Sequence, residues 1–259
     1  MPEPLVTLAI DGAIATITLD RPDKLNALTQ DMIDALEEYA ARIEADSGIR
    51  CAILTATGDK AFCVGADINA WSALTPLDMW RRWTRRGHQV FDRLARLRVP
   101  LIAAINGHAL GGGLELAATA DIRVTDRRAS FGLPEAGIGT VPGWSGTQRL
   151  TALIGVGQVK YLALTGRRLT AEDAWRVGLV QQIADAGTVL DAARALAADI
   201  TRLSPVSVQL TKQLIDGASG EGLAAALEGI AGALAGTTRD AAEGLASFRE
   251  KRMAHYEGR

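Results

Sequence analysis

The chain of 259 residues is long enough for one large domain or two small ones. Hydrophobic residues make up 48% of it and charged residues 22%, which is typical of a globular protein and excludes a disordered or fibrous chain. The 28 Lys and Arg residues are balanced by 30 Asp and Glu residues, and the net charge of −2 argues against a nucleic-acid-binding protein, which usually carries a basic excess.

The first half of the chain alternates between short apolar runs and helical patterns. Residues 5–10 and 13–19 are β-branched runs joined by an Asp-Gly pair, which predicts a hairpin. Thr29 is positioned to cap a helix, and the apolar runs 51–56 and 101–105 predict short buried strands. This alternation predicts an α/β fold in which helices cover a parallel sheet.

Beyond the middle of the chain the pattern becomes helical. Residues 189–204, 206–216 and 221–254 are rich in Ala and Leu at helical spacing, and no further strand pattern accompanies the last of them. We therefore predict an α/β core over residues 1–200 and a helical region over residues 201–259. The apolar stripes of that region are expected to pack against neighbouring subunits.

Three consecutive glycines, Gly111 to Gly113, lie between an apolar strand and a helix that contains Glu115. Glycine lets backbone N–H groups approach a ligand, and a helix start adds unpaired donors, so this turn can hold a phosphate or a developing oxyanion. A tight turn without a ligand explains the same glycines equally well. The spacing matches neither the GxGxxG nor the P-loop signature, which argues against those nucleotide folds.

A second glycine-containing turn, residues 62–68 (FCVGADI), also follows a predicted strand. Two such turns can each offer one backbone N–H to the same oxygen, which is the usual construction of an oxyanion hole.

Two glutamates stand in apolar surroundings. Glu115 interrupts the run LELAA, and Glu135 follows 20 residues later in the Gly-rich loop FGLPEAG. Each by itself is explained by a cap or a salt bridge. Two carboxylates in apolar surroundings can differ in pKa, so that one acts as an acid and the other as a base at neutral pH. Beside a donor-rich turn, the pair favours catalysis.

Signals for metal binding, export and membrane insertion are missing from the sequence. Cys51 and Cys63 form no CxxC pair, and the three histidines show no metal-ligand spacing. The N-terminal residues have no signal-peptide pattern, and no apolar stretch approaches the roughly 20 residues of a membrane span. We expect a soluble cytoplasmic protein without a metal.

Several motifs in the same order resemble the crotonase family, also called the enoyl-CoA hydratase/isomerase family. They are FCVGADI, INGHALGGGLELAATADI, FGLPEAGIGTVPGWSGTQRL and LTGRRLTAEDAWRVGLV. The resemblance runs over nearly the whole chain. It implies a ββα spiral core, a C-terminal helical region that forms trimers or dimers of trimers, and an acyl-CoA substrate.

The resemblance also implies roles for individual residues. The backbone N–H groups of Ala66 and Gly112 would hold the thioester oxygen. Glu115 would activate water at C3, Glu135 would deliver a proton to C2, and Gly143 would lie near the water. The coenzyme A moiety would contact Lys24, Ala66, Ile68 and Lys251. The implied reaction is hydration of a 2-enoyl-CoA, with no cofactor apart from the coenzyme A of the substrate.

The sequence departs from the family pattern at Trp144 and Ser145, where relatives often have Ala-Gly or Gly-Gly. An indole beside the water position favours a short or compact acyl group. The alternative is that Trp144 points away from the pocket and packs in the core.

Other activities remain open on the same residues. An enoyl-CoA isomerase, a dehalogenase or a hydratase-lyase can use the same oxyanion hole, and a non-catalytic CoA- or RNA-binding relative needs no paired glutamates. Seven arginines between residues 81 and 98, near Trp80 and Trp83, are compatible with RNA binding. With the negative net charge, a solvated helical face or one near CoA phosphates is the favoured interpretation.

Overall fold

The computed structural model describes residues 4–218 and 222–258. The chain divides into two compact units, Met1–Gln209 and Leu210–Arg259. The division lies inside a helix, Pro205–Ala218, and therefore beyond the predicted boundary after residue 200. Residue 221, where the last predicted helical run begins, lies outside the described residues.

The strands of the first unit are short and are distributed over two sheets. They are β1 (Val6–Asp11), β2 (Ile14–Leu19), β3 (Cys51–Ala56), β4 (Ala61–Cys63), β5 (Leu101–Ile105), β6 (His108–Leu110), β7 (Ile122–Asp126), β8 (Ser130–Gly132), β9 (Arg168–Thr170) and β10 (Gln182–Ala184). Strands β1 and β2 form the predicted antiparallel hairpin. The larger sheet has the order β1-β2-β3-β5-β7-β10, and the smaller sheet has the order β4-β6-β8-β9.

The helices alternate with these strands. They are α1 (Gln30–Ala45), α2 (Ile68–Ser72), α3 (Pro76–Asp78), α4 (Arg85–Ala95), α5 (Gly112–Ala117), α6 (Gly146–Thr165), α7 (Ala171–Arg176), α8 (Val189–Thr201), α9 (Pro205–Ala218), α10 (Leu223–Gly236) and α11 (Arg239–Glu250). A π-helical turn, Met79–Thr84, joins α3 to α4. Thr29 caps α1 as predicted, since its side chain accepts from the Met32 N–H.

The chain passes repeatedly from the larger sheet to the smaller one. The pairs β3–β4, β5–β6 and β7–β8 each place their first strand in the larger sheet and their second in the smaller sheet. From β2 to β10 the neighbouring strands of the larger sheet are parallel. This is the ββα spiral with C-terminal helices that the sequence predicted.

Helices cover both faces of the larger sheet, which explains why β3 and β5 are almost entirely apolar. Along β3, Ala52 and Leu54 belong to the cluster that includes the buried face of α1. The alternate residues Cys51 and Ile53 belong to a second cluster with Ala193 and the rest of the inner face of α8. Side chains alternate between the faces of a strand, so a strand buried on both faces is mostly apolar. Thr55 is the exception in β3, and its hydroxyl donates to the Ala104 carbonyl at 3.0 Å.

The helical run predicted over residues 221–254 is broken in the structure. It forms α10 and α11, which are separated at Thr237 and Thr238. The Thr238 side chain accepts from the Ala241 N–H at 3.1 Å and so caps a new helix. Apolar periodicity continues across this cap, which is why the periodicity alone predicted one helix. Among the described residues, we find no helix with the length and apolar character needed to cross a lipid bilayer.

Candidate active site

Three segments of the site follow three adjacent parallel strands of the smaller sheet. Strand β4 leads to Ala66, β6 leads to Gly112, and β8 leads to Glu135. Because β6 pairs in parallel with both β4 and β8, the carboxyl ends of all three meet at one edge of the sheet. The three residues accordingly line one cavity of about 630 Å³.

The turns after β4 and β6 pack against each other through their backbones. A side-chain carbon at Gly65 would lie 3.1 Å from the Gly112 nitrogen, and one at Gly113 would lie 2.0 Å from the Cys63 carbonyl oxygen. Gly65 also has a φ of +102°, a conformation that favours glycine. Within the described part of the chain, the N–H groups of Ala66 and Gly112 have no protein acceptor. Two neighbouring donors are thus available to one ligand oxygen.

Buried and partly buried polar side chains, none of them predicted as site residues, support the segment that leads to Ala66. The Arg21 guanidinium donates to the Asp67 carboxylate at 2.6 Å, and this bond holds the pKa of Asp67 below its ordinary value. Asn26 is fully buried and donates to the Ala61 carbonyl at 2.9 Å. The local signal for such a bond is an Asn within the apolar stretch LNAL.

Glu115 lies in the first turn of α5 and is only 2% exposed. Its Oε1 accepts from the N–H groups of Trp144 at 2.9 Å and Gly146 at 2.8 Å. Burial raises the pKa of Glu115, while these bonds and one from the Gly143 N–H favour its ionised form. A side-chain carbon at Gly146 would lie 2.2 Å from the Glu115 Cγ, so the close fit requires glycine there.

Glu135 lies at the start of a short 3₁₀ turn after β8 and is 8% exposed. Its buried Oε2 has no hydrogen-bond partner among the described residues. Burial, and then the negative charge of Glu115, raises the pKa of Glu135 to about 7. The predicted pair of glutamates therefore meets in one cavity, where Trp144 and Gly146 N–H groups donate to Glu115 while the Glu135 Oε2 has no partner among the described residues. Such a pair can keep one base and one acid at neutral pH.

Trp144 is 3% exposed and forms part of both the core and the cavity wall. Its ring packs against Trp83 and Phe91, with centroids 5.5 Å and 5.2 Å away. A side-chain carbon at Gly87 would lie 2.2 Å from the indole Nε1, and one at Gly112 would lie 2.7 Å from Cζ3. The indole is thus wedged between α4 and the start of α5, so it packs in the core without pointing away from the pocket. A preference for compact acyl groups stays a prediction.

A polar cluster holds the loop at residues 143–146 against α4. Ser145 has a φ of +72°, and its Oγ lies 2.9 Å from the His88 Nδ1 and donates to Asp92 at 3.4 Å. Arg149, which is 8% exposed, pairs with the same Asp92 carboxylate. Sequence reasoning missed this cluster because its members are about 60 residues apart and no local pattern links them.

The predicted coenzyme A contacts lie on separate elements. Ile68 is 51% exposed and lines the cavity. Lys24 ends the exposed turn Pro22–Lys24, and Lys251 follows α11 in the second unit. Neither lysine lines the cavity, so their contacts with coenzyme A stay predictions.

Carboxylates of α1 partly neutralise the arginine-rich segment between residues 81 and 98. Arg86 pairs with Asp34 at 2.8 Å, and Arg93 pairs with Glu37 at 3.4 Å. These pairs favour the interpretation of the arginine-rich segment as a solvated helical face.

Both cysteines are buried free thiols. Burial raises the pKa of Cys51 and of Cys63 to about 12, so neither is a thiolate at neutral pH. In the ranges 4–218 and 222–258, no three His, Cys, Asp or Glu side chains come together as a metal site. That the reaction needs no metal or cofactor stays a prediction.

Comparison with known proteins gives consistent matches over most of the chain. Residues 9–259 match the family described as enoyl-CoA hydratase/isomerase. A short-chain-enoyl-CoA hydratase from Clostridium acetobutylicum is 40% identical, with 82% of this chain and 80% of that protein covered. A crotonyl-CoA hydratase from Syntrophomonas wolfei is 34% identical, with 97% of each covered.

The fold also matches solved structures whose sequence identity to this chain is similar to that of these relatives. The crystal structure of an enoyl-CoA hydratase from Bacillus anthracis has a TM-score of 0.82 and 34% identity, over 98% of this chain and 100% of that one. Sequence motifs, spiral topology and paired glutamates all agree with the family match over residues 9–259, and the chain belongs to the enoyl-CoA hydratase/isomerase family of the crotonase superfamily.

Proposed function

We propose that this protein is an enoyl-CoA hydratase, which adds water reversibly across the 2,3 double bond of a 2-enoyl-CoA. The observation that carries the proposal is the pair of buried glutamates beside two backbone N–H groups without protein acceptors. Glu115 and Glu135 line the same cavity as Ala66 and Gly112. The reaction needs such a set, because water addition at C3 builds enolate charge on the thioester oxygen while C2 takes up a proton.

The two donors stabilise the enolate. Placed at the thioester oxygen, the N–H groups of Ala66 and Gly112 lower the energy of the transition state more than that of the substrate, because negative charge grows on this oxygen. No metal or redox cofactor takes part in the proposed steps, and coenzyme A belongs to the substrate.

The two carboxylates divide the proton transfers. Burial raises the pKa of Glu115, and the N–H groups of Trp144 and Gly146 oppose this shift by favouring the ionised form. Glu115 is accordingly assigned as the base that takes a proton from the attacking water. The Glu135 Oε2 lacks such a partner, and with a pKa of about 7 this group serves as the acid that protonates C2. Gly143 lies in the cavity wall beside Glu115, where the water is expected to bind.

The proposal is tested with a panel of 2-enoyl-CoA thioesters, followed through the loss of the conjugated-thioester absorbance. Hydration of crotonyl-CoA and its homologues is the expected result. Conversion of 3-enoyl-CoA to 2-enoyl-CoA without hydration would instead identify an isomerase. Binding of acyl-CoA without any turnover would identify a non-catalytic relative.

The hydration rate is expected to fall above about pH 7. Glu135 acts as the acid only while protonated, and its pKa is raised to about 7. The value of kcat/KM should therefore decline about tenfold per pH unit once the pH exceeds this pKa. A profile measured from about pH 5 to 9 checks this. The alkaline decline should disappear in Glu135→Gln, and a flat wild-type profile would contradict the acid role.

The protein is expected to form trimers or dimers of trimers. The second unit exposes large apolar side chains, among them Leu234 at 67%, Leu245 at 60% and Phe248 at 85%. Exposed apolar surface of this kind marks interaction sites. Sedimentation velocity at micromolar concentration tests the assembly, and a stable monomer would contradict it. A cytoplasmic location stays a prediction.

A further inference from the structure

Four of the five tryptophans in this chain line the cavity that contains the glutamates. They are Trp71, Trp80, Trp83 and Trp144, whereas Trp175 is 57% exposed on α7 outside the cavity wall. Only 5% of the residues in the chain are aromatic, so this concentration in one wall is a property of the cavity and not of the composition.

The π-helical turn Met79–Thr84 brings part of this wall together. A π-helical turn closes i→i+5 hydrogen bonds, so residues four and five positions apart share a face. Met79, Trp80, Trp83 and Thr84 show this spacing, and all four line the cavity. Single π-helical turns inside α-helices are frequently found at functional sites.

Trp80 is the tryptophan of this wall whose side chain is not packed in the hydrophobic core. Trp83 and Trp144 are 4% and 3% exposed and pack against each other in the core. Trp80 is 63% exposed, and the Arg81 guanidinium lies over its ring, 5.8 Å from the centroid. Because Arg81 approaches one face of this exposed indole, the opposite face is the one left for a ligand in the cavity.

We propose that the acyl pocket selects thioesters with an aromatic ring on C3, that is, 3-aryl-2-propenoyl-CoA, and that Trp80 is the residue that determines this specificity by stacking on the ring. The substrate class rests on the proposed hydratase function. The tryptophan wall lines the same cavity as Glu115 and Glu135, where the acyl group has to lie to react, so we assign the wall to the acyl group.

An aromatic wall distinguishes aromatic from aliphatic groups through geometry as well as area. Offset or edge-to-face ring pairs stabilise a complex beyond the burial of apolar surface, by an amount equivalent to about threefold to tenfold in affinity per pair. A cyclohexyl ring has similar bulk and is more apolar than a phenyl ring. A pocket that acts by apolar burial alone would therefore prefer the cyclohexyl compound.

The test compares 3-phenylpropanoyl-CoA with 3-cyclohexylpropanoyl-CoA by calorimetric measurement of Kd. Both lack the 2,3 double bond, so binding is measured without turnover. Wild-type protein, Trp80→Leu and the matched control Trp175→Leu are compared, since both substitutions replace an exposed indole. Melting temperatures establish that all three proteins are folded. Trp144→Ala is unsuitable because removing a buried indole leaves a large cavity in the core and strongly destabilises the fold.

Wild-type protein and Trp175→Leu are expected to bind the phenyl compound about threefold to tenfold more tightly than the cyclohexyl compound. Trp80→Leu is expected to lose this preference. An unchanged ratio in Trp80→Leu, or a wild-type preference for the cyclohexyl compound, would overturn the inference.

The same proteins separate this inference from the proposed function. If crotonyl-CoA is hydrated but the Kd ratio does not depend on Trp80, only the aromatic specificity is wrong. If no 2-enoyl-CoA is hydrated while Trp80 still governs the ratio, the hydratase function is wrong and the aromatic pocket stands.

Discussion

Replacing Glu115 with Gln is expected to lower kcat for hydration of crotonyl-CoA by about 10²-fold or more, and Glu135→Gln by a similar factor. In Glu115→Gln, the amide oxygen can still accept from the Trp144 and Gly146 N–H groups, so the loop is retained while the base is lost. In Glu135→Gln, the amide keeps the shape of the protonated carboxyl group but cannot give up its proton to C2.

Steady-state kinetics with crotonyl-CoA checks both substitutions, and Glu172→Gln on the exposed start of α7 is the matched control. The two glutamates act together in the same proton transfers. The kcat of the double variant should therefore fall by much less than the product of the two single decreases. Turnover near the wild-type value in either variant would remove that glutamate from the mechanism.

The Gly112→Pro variant is expected to lose all measurable turnover. Proline removes the N–H that is proposed to bind the thioester oxygen. Loss of a single oxyanion donor costs about 10²–10³ in rate. The ring would also displace Trp144, because even a single side-chain carbon at position 112 would lie 2.7 Å from the indole Cζ3.

Two further measurements separate loss of the donor from this steric effect. Gly112→Ala meets the same indole but keeps the N–H, so it should retain more turnover than Gly112→Pro. An ester in place of the Gly112 amide removes the N–H without adding any atom to the side chain, and it should lower kcat by about 10²–10³ in a folded protein. An active ester protein would show that the oxyanion is held elsewhere.

Features that depend on neighbouring residues were predictable from the sequence. The cap at Thr29 and the strands over residues 51–56 and 101–105 follow from side chains within a few positions, and the structure contains them. The importance of Glu115 was also visible, because a carboxylate in an apolar run has to be paired, solvated by backbone groups or functional.

Two predictions were incomplete because they also used neighbouring residues only: the last helical run and the position of Trp144. Apolar periodicity reports which face of a helix is buried, and it does not report where one helix ends and the next begins. The break between α10 and α11 depends on the cap at Thr238, whose bond to the Ala241 N–H outweighs the continuing pattern. Similarly, the sequence described Trp144 either as pocket wall or as core, whereas the folded position belongs to both.

The sequence by itself determined the local elements, the two glycine turns and the two glutamates, because each is specified by short-range chemistry. Only the tertiary structure decided which distant segments meet. The Ser145–His88–Asp92 cluster and the convergence of Trp71 and Trp80 with Trp144 depend on the passage of the chain between two sheets. A side-chain pattern records burial and periodicity but not its distant partner, so these contacts become visible only when α4, α5 and the loop before α6 pack together.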